Sequence, residues 1–115
     1  MSRGHDRERA VRAYLTDRDW LAFRAPASLG VADVIALRDG SRPLLIEVKS
    51  TAGGPYAHFL PKDRADLLFA AEMAGAAAWL VWWPPRGRAH WIESAAWERP
   101  RQRQGWATGP EGEAA

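Results

Sequence analysis

The chain has 115 residues, 47% hydrophobic and 26% charged, with a net charge of +2 and no cysteine. That is one small domain with enough apolar side chains for a single core, and it excludes a disulfide framework or a thiolate metal site. The N-terminal residues Met1 to Arg7 have no apolar stretch and the longest apolar run, residues 74–83, is too short to span a bilayer, so a soluble cytoplasmic protein without membrane partners is expected.

Residues 5–18 read as a helix with Glu8, Val11 and Leu15 on one face. Glu8 then has two readings: an interior-facing acid that needs a cation, or an exposed first-turn acid favoured by the helix dipole. Residues 20–23 form a short predicted strand. Residues 33–38 and 44–50 form two more, rich in Val, Ile and Leu and joined across Asp39-Gly40, a hairpin turn signal. Residues 51–60, with Gly53-Gly54-Pro55, read as a flexible loop able to close over a bound strand. Pro61 opens an Ala-rich helix that Gly75 ends. Residues 78–83 read as a buried strand stopped by Pro84-Pro85, Arg86-Gly87-Arg88 as a turn, and residues 89–92 as a last strand. From Arg99 the apolar period stops, so a domain at 1–98 and a weakly ordered tail at 99–115 are expected.

The chemistry concentrates in Asp33 and in Glu47-Val48-Lys49. Strand alternation puts Glu47 and Lys49 on one face, and Asp33 begins the neighbouring strand within reach of it. A salt bridge on a solvated face is one reading. The other is a divalent-metal site, because the surrounding strands are almost continuously apolar, as in a sheet covered on both faces. Mg²⁺ takes one or two carboxylates and keeps several waters, and a lysine beside it can neutralise phosphate charge.

Sixteen residues are Lys or Arg and fourteen of those are Arg. Arg3, Arg7, Arg9 and Arg12 crowd the first helix, as a nucleic-acid partner would require, although a general Arg-rich usage gives the same count. The seven tryptophans exceed what one small core would hold. On alternating strands Trp79, Trp82, Trp83 and Trp91 are not expected all to face inward. Ordinary core and surface placement and base stacking are alternatives, but the excess points to a dimer interface across residues 79–83 and 89–92 plus adjacent helix surface. No spacing of His5, His58 and His90 suggests a metal or a triad, and only His58, in the loop, is placed to touch DNA.

The ordered set of Glu8, Ser28, Gly30-x-x-Asp33 and Glu47-x-Lys49 resembles the PD-(D/E)xK nucleases, and within them the archaeal-type Holliday junction resolvases, including those carried by phages. The resemblance runs from Arg3 to Glu93. It departs at Ala32, where the superfamily often has proline, and at the short loop carrying Ser28 and Leu29. It implies an α/β restriction-endonuclease-like fold, a central mixed β-sheet flanked by helices. It further implies a homodimer that resolves four-way junction DNA by paired nicks, leaving 5′-phosphate and 3′-hydroxyl ends. Mg²⁺, with Mn²⁺ as substitute, would be held by Glu8, Asp33 and Glu47, with no small-molecule cofactor. Lys49 and Ser28 would complete the catalytic set, and Arg3, Arg7, Arg24, Ser50, Thr51 and His58 would contact DNA. The alternatives are a related nuclease for other branched or damaged DNA and a non-catalytic DNA-binding module of the same fold.

Overall fold

The computed structural model describes residues 3–26, 30–98 and 106–110. Helix α1 (Arg3–Thr16) leads into strands β1 (Leu21–Arg24), β2 (Val34–Leu37) and β3 (Leu44–Ser50). Helix α2 (Pro61–Ala74) connects to β4 (Ala77–Trp83) and β5 (His90–Glu93), and a short 3-10 helix (Ser94–Glu98) follows. The five strands lie in sheet order β1-β2-β3-β4-β5. All neighbours are antiparallel except β3 and β4. A parallel pair needs a long crossover, and α2 supplies it. The expected mixed sheet flanked by helices is therefore present.

Local chemistry sets the element ends. Pro61 opens α2, where its missing N–H leaves no intrahelical bond unmade. Gly75 closes it in the left-handed conformation at φ 63, and the Ala76 N–H donates to the Ala71 carbonyl at 2.8 Å.

Register assigns each side chain to a face. Val34 pairs with Ile46, Ile46 with Trp79, and Val81 with Trp91, so these residues share the face covered by Val11 and Leu15 of α1. Ala78, Leu80 and Ile92 occupy the other face, under Leu67 and Ala71 of α2, Phe59 and Trp97. Burying one Val, Leu or Ile side chain stabilises by roughly 1.5–3 kcal/mol, so these two layers carry most of the fold.

The tryptophans contradict the expected interface. Trp79, Trp82, Trp83 and Trp91 are all buried, none above 8% exposed. Alternation sends Trp79 and Trp83 to one face and Trp82 to the other, and both faces are covered, so each ring finds a lining of its own. Residues 79–83 and 89–92 consequently offer no aromatic surface to a second copy. The large apolar side chains left exposed include Phe69 at 65% and Met73 at 76%, both on α2.

Part of the stretch expected as tail is integrated into the fold. Trp91 and Ala107 exchange two backbone hydrogen bonds at 2.8 and 2.9 Å, and Ala107 is buried in the α1-side core. Trp106 packs edge-on against Trp82 at 5.8 Å. A single bridge of this kind has no periodic signature in sequence. Residues 99–105 and 111–115, also in that stretch, lie outside the described residues.

Candidate active site

Strand β2 begins at Val34, but Asp33 already holds a place in the ladder. Its N–H donates to the Ile46 carbonyl at 2.8 Å and its carbonyl accepts from Ala25 at 2.9 Å. Beyond this point β2 no longer offers β3 a partner. The Asp33 carboxylate takes over and accepts the Val48 N–H at 2.8 Å. That bond fixes Asp33 against the strand that carries Glu47 and Lys49.

Glu47 and Lys49 pair in register with Leu80 and Trp82, so both point to the α2 side of the sheet. Glu47 is half-buried there. Its carboxyl is pushed up from 4.5 to about 9, first by burial, then by a side-chain hydrogen bond with Asp33 and by that residue's negative charge, with Asp63 adding to the rise and Lys49 opposing it. A carboxyl raised so far keeps its proton at neutral pH, so Glu47 stands against Asp33 as a hydrogen-bonded carboxyl pair.

Glu8 approaches from α1. Its carboxylate accepts from Arg24 Nε at 3.2 Å and its side chain is only 14% exposed. Arg24 Nη2 lies 2.9 Å from His5 Nε2, which accepts the bond. Glu8 is thus the interior-facing acid of the two readings, with Arg24 as its cation. Glu8, Arg24, Pro26, Gly30, Asp33 and Glu47 line one cavity of about 520 Å³.

The other residues expected to act distribute unevenly. Ser28 lies outside the described residues, as does the side chain of Arg3. Ser50 ends β3 and, with Arg7, lines a separate cavity. Thr51 uses its hydroxyl inside the protein, donating to the Gly54 carbonyl at 2.5 Å and accepting from Trp82 Nε1 at 3.0 Å. His58 is exposed. Its loop is less free than expected, because Pro55 and Phe59 are buried and Phe59 packs edge-on against Trp97 at 4.9 Å.

Among the described residues no three acids or histidines stand close enough together to enclose a metal. Two hydrogen-bonded carboxyls, one holding a proton that burial and charge make it keep, are nevertheless a hard-oxygen set suited to a cation that takes one or two carboxylates and retains its waters.

A family model of the archaeal Holliday junction resolvases, Hjc, matches residues 1–105. This chain belongs to the Hjc family. Among solved structures it is similar to Archaeoglobus fulgidus Hjc, a Holliday junction resolvase from an archaeal hyperthermophile, with a TM-score of 0.66 and 24% identity over 82% of this chain and 75% of that one. No curated protein matches it. The likeness establishes the PD-(D/E)xK-type resolvase fold expected from Asp33 and Glu47-x-Lys49.

Two residues at this Hjc-type site were not singled out from sequence. Asp63, in the first turn of α2, accepts the Leu60 N–H at 3.1 Å and lends its charge to Glu47. An acid three residues after the N-cap Leu60 was the available signal. His5, which orients Arg24, left no signal, because only the fold brings β1 beside the start of α1.

Proposed function

We propose that this chain is a divalent-metal-dependent endodeoxyribonuclease that resolves four-way DNA junctions by paired nicks, acting as a homodimer in the cytoplasm. The observation that carries this is the Asp33–Glu47 carboxyl pair, with Lys49 beside it, in a chain of the Hjc family. Asp33 and Glu47 would hold Mg²⁺, or Mn²⁺ in its place, with Glu8 a further acid lining the same cavity. The cation, when bound, provides Lewis acidity toward the scissile phosphate and lowers the pKa of a water.

The protein's own groups do the rest. Glu47 gives up its proton on loading. The Val48 N–H keeps Asp33 aimed at the site throughout. Lys49 offsets negative charge that develops on the phosphate. Arg24 holds Glu8 in place and presents cationic surface to the DNA backbone. Cleavage leaves 5′-phosphate and 3′-hydroxyl ends.

The dimer surface is the outer face of α2, where Leu68, Phe69 and Met73 are exposed. Phe69 and Met73 stand one turn apart and form a continuous stripe. A two-fold axis would set two identical sites against the two strands that must be cut. Among the described residues no helix is long and apolar enough to cross a membrane.

A cleavage assay tests the whole reading. A four-way junction, a Y-fork, a linear duplex and a single strand are incubated with Mg²⁺ or with EDTA. Paired nicks in the junction alone, and only with metal, are expected. Equal cutting of the fork or duplex would favour the related nuclease for other branched DNA. Binding without cutting in Mg²⁺ or Mn²⁺ would favour the non-catalytic module.

A further inference from the structure

The turn between β4 and β5 carries an arginine where its backbone suits glycine. Pro84, Pro85, Arg86 and Gly87 close it, with the Gly87 N–H donating to the Pro84 carbonyl at 3.1 Å. Proline in the second position fits a type II turn, whose third position needs a positive φ. Arg86 fills that position at φ 60. A Cβ there works against the neighbouring carbonyl. The glycine that would relieve it stands one residue later, where a Cβ on Gly87 would lie 2.3 Å from Pro84 Cγ. Strain of this kind persists where a side chain is needed.

Arg86 lines a cavity of about 430 Å³ with Asp6, Arg7, Ser50 and Pro85. The one carboxylate in that lining, on Asp6, lies 3.8 Å from Arg9. The Arg7 guanidinium sits 4.9 Å from the centre of the Trp83 ring, which fixes where its cation stands. Among the described residues neither Arg7 nor Arg86 has an ion-pair partner. Two guanidiniums beside a hydroxyl form a donor set for phosphate oxygens, which arginine can grip with two N–H groups at once.

Strand β3 ties this cavity to the catalytic one, since Ser50 lines this cavity and Glu47 the catalytic one. Three residues of strand span about 10 Å along its axis, close to three steps of duplex rise, and the odd spacing turns Ser50 to the α1 face, beside Trp83 and opposite Glu47. Arg24 stands to the β1 side of β3, and Arg86 to the β4 side.

We infer that Arg86, together with Arg7 and Ser50, is a phosphodiester-binding station that grips the DNA backbone a few nucleotides from the cut, on the side of β3 away from Arg24. The inference deepens the resolvase reading and rests on it for the identity of the DNA.

The test is junction binding by fluorescence anisotropy in EDTA, from 50 to 200 mM salt as about the range where backbone contacts are most visible, together with thermal melting. Arg86→Gly relieves the turn and removes the guanidinium. It is expected to melt at a higher temperature than wild type, yet bind about tenfold more weakly, with a log–log salt slope shallower by about 1. Arg86→Lys, which keeps the charge, is expected to retain the wild-type slope. Wild-type affinity and slope in Arg86→Gly would overturn the station. Failure of the resolvase reading looks different: the wild-type protein itself would not prefer a four-way junction to linear duplex, while the Arg86→Gly loss would appear on both and the station would stand.

Discussion

Loading of the site with metal should expel a proton from Glu47. Glu47 keeps its proton to about pH 9 in the folded protein because it is buried and bonded to Asp33. A group of that pKa is about 97% protonated at pH 7.5. Binding a divalent cation requires both carboxylates ionised, so nearly one proton leaves for each site filled at pH 7.5 and about half as many at pH 9. Apparent affinity should therefore rise close to tenfold per pH unit up to about 9 and then level off. Isothermal titration with Mn²⁺ or Ca²⁺, in two buffers of different ionisation enthalpy, counts the protons directly. The metal-free protein carries the same signature in its stability. Glu47 binds a proton below about 9 when folded but only below 4.5 when unfolded. Its contribution is complete below pH 4.5 and is lost as the pH climbs toward 9. At about 1.4 kcal/mol per unit the loss reaches several kcal/mol across that window, a large share of what a small domain possesses. Adding metal should abolish the decline. Release of less than about a fifth of a proton at pH 7.5, where a protonated Glu47 requires nearly a whole one, would refute the raised pKa.

Asp33→Asn should abolish cleavage while junction binding in EDTA stays the same or tightens, since a charge repelling phosphate is removed; retained cutting would remove Asp33 from the metal set. Lys49→Ala should lower the single-turnover rate by orders of magnitude with an unchanged melting curve, and a wild-type rate would leave it only a nearby positive charge that opposes the rise of the Glu47 pKa. Glu8→Gln should cut poorly, whereas normal cutting would confine the metal to Asp33 and Glu47. Phe69→Glu with Met73→Glu should give monomers by analytical ultracentrifugation that no longer nick in pairs, and an unchanged dimer would place the interface elsewhere.

The site was legible in sequence where strand alternation governs it. Glu47 and Lys49 two residues apart could only share a face, and Asp33 at the head of the neighbouring strand could only end up near them. Glu8 was readable to the extent that Val11 and Leu15 defined its stripe, but its partner Arg24 was not, because that pairing is made across elements. The tryptophans were misread for a physical reason. Counting rings against one core ignores that a sheet covered on both faces has two, and alternation splits Trp79, Trp82 and Trp83 between them. Thr51 was expected to contact DNA, but a hydroxyl two residues past the motif gives no hint that Trp82 and Gly54 engage it.

The backbone bridge at Ala107 bears on how the protein stays apart from its neighbours. Strand β5 is the last of the sheet, and such a margin offers unpaired N–H and C=O groups to any extended peptide. Ala107 occupies the central position by bonding both backbone groups of Trp91. A chain ended at Glu98 would still have every catalytic carboxylate, yet it would leave Trp91 open to strand addition from another molecule. Aggregation, with the chemistry intact, is the defect such a shortened protein should show.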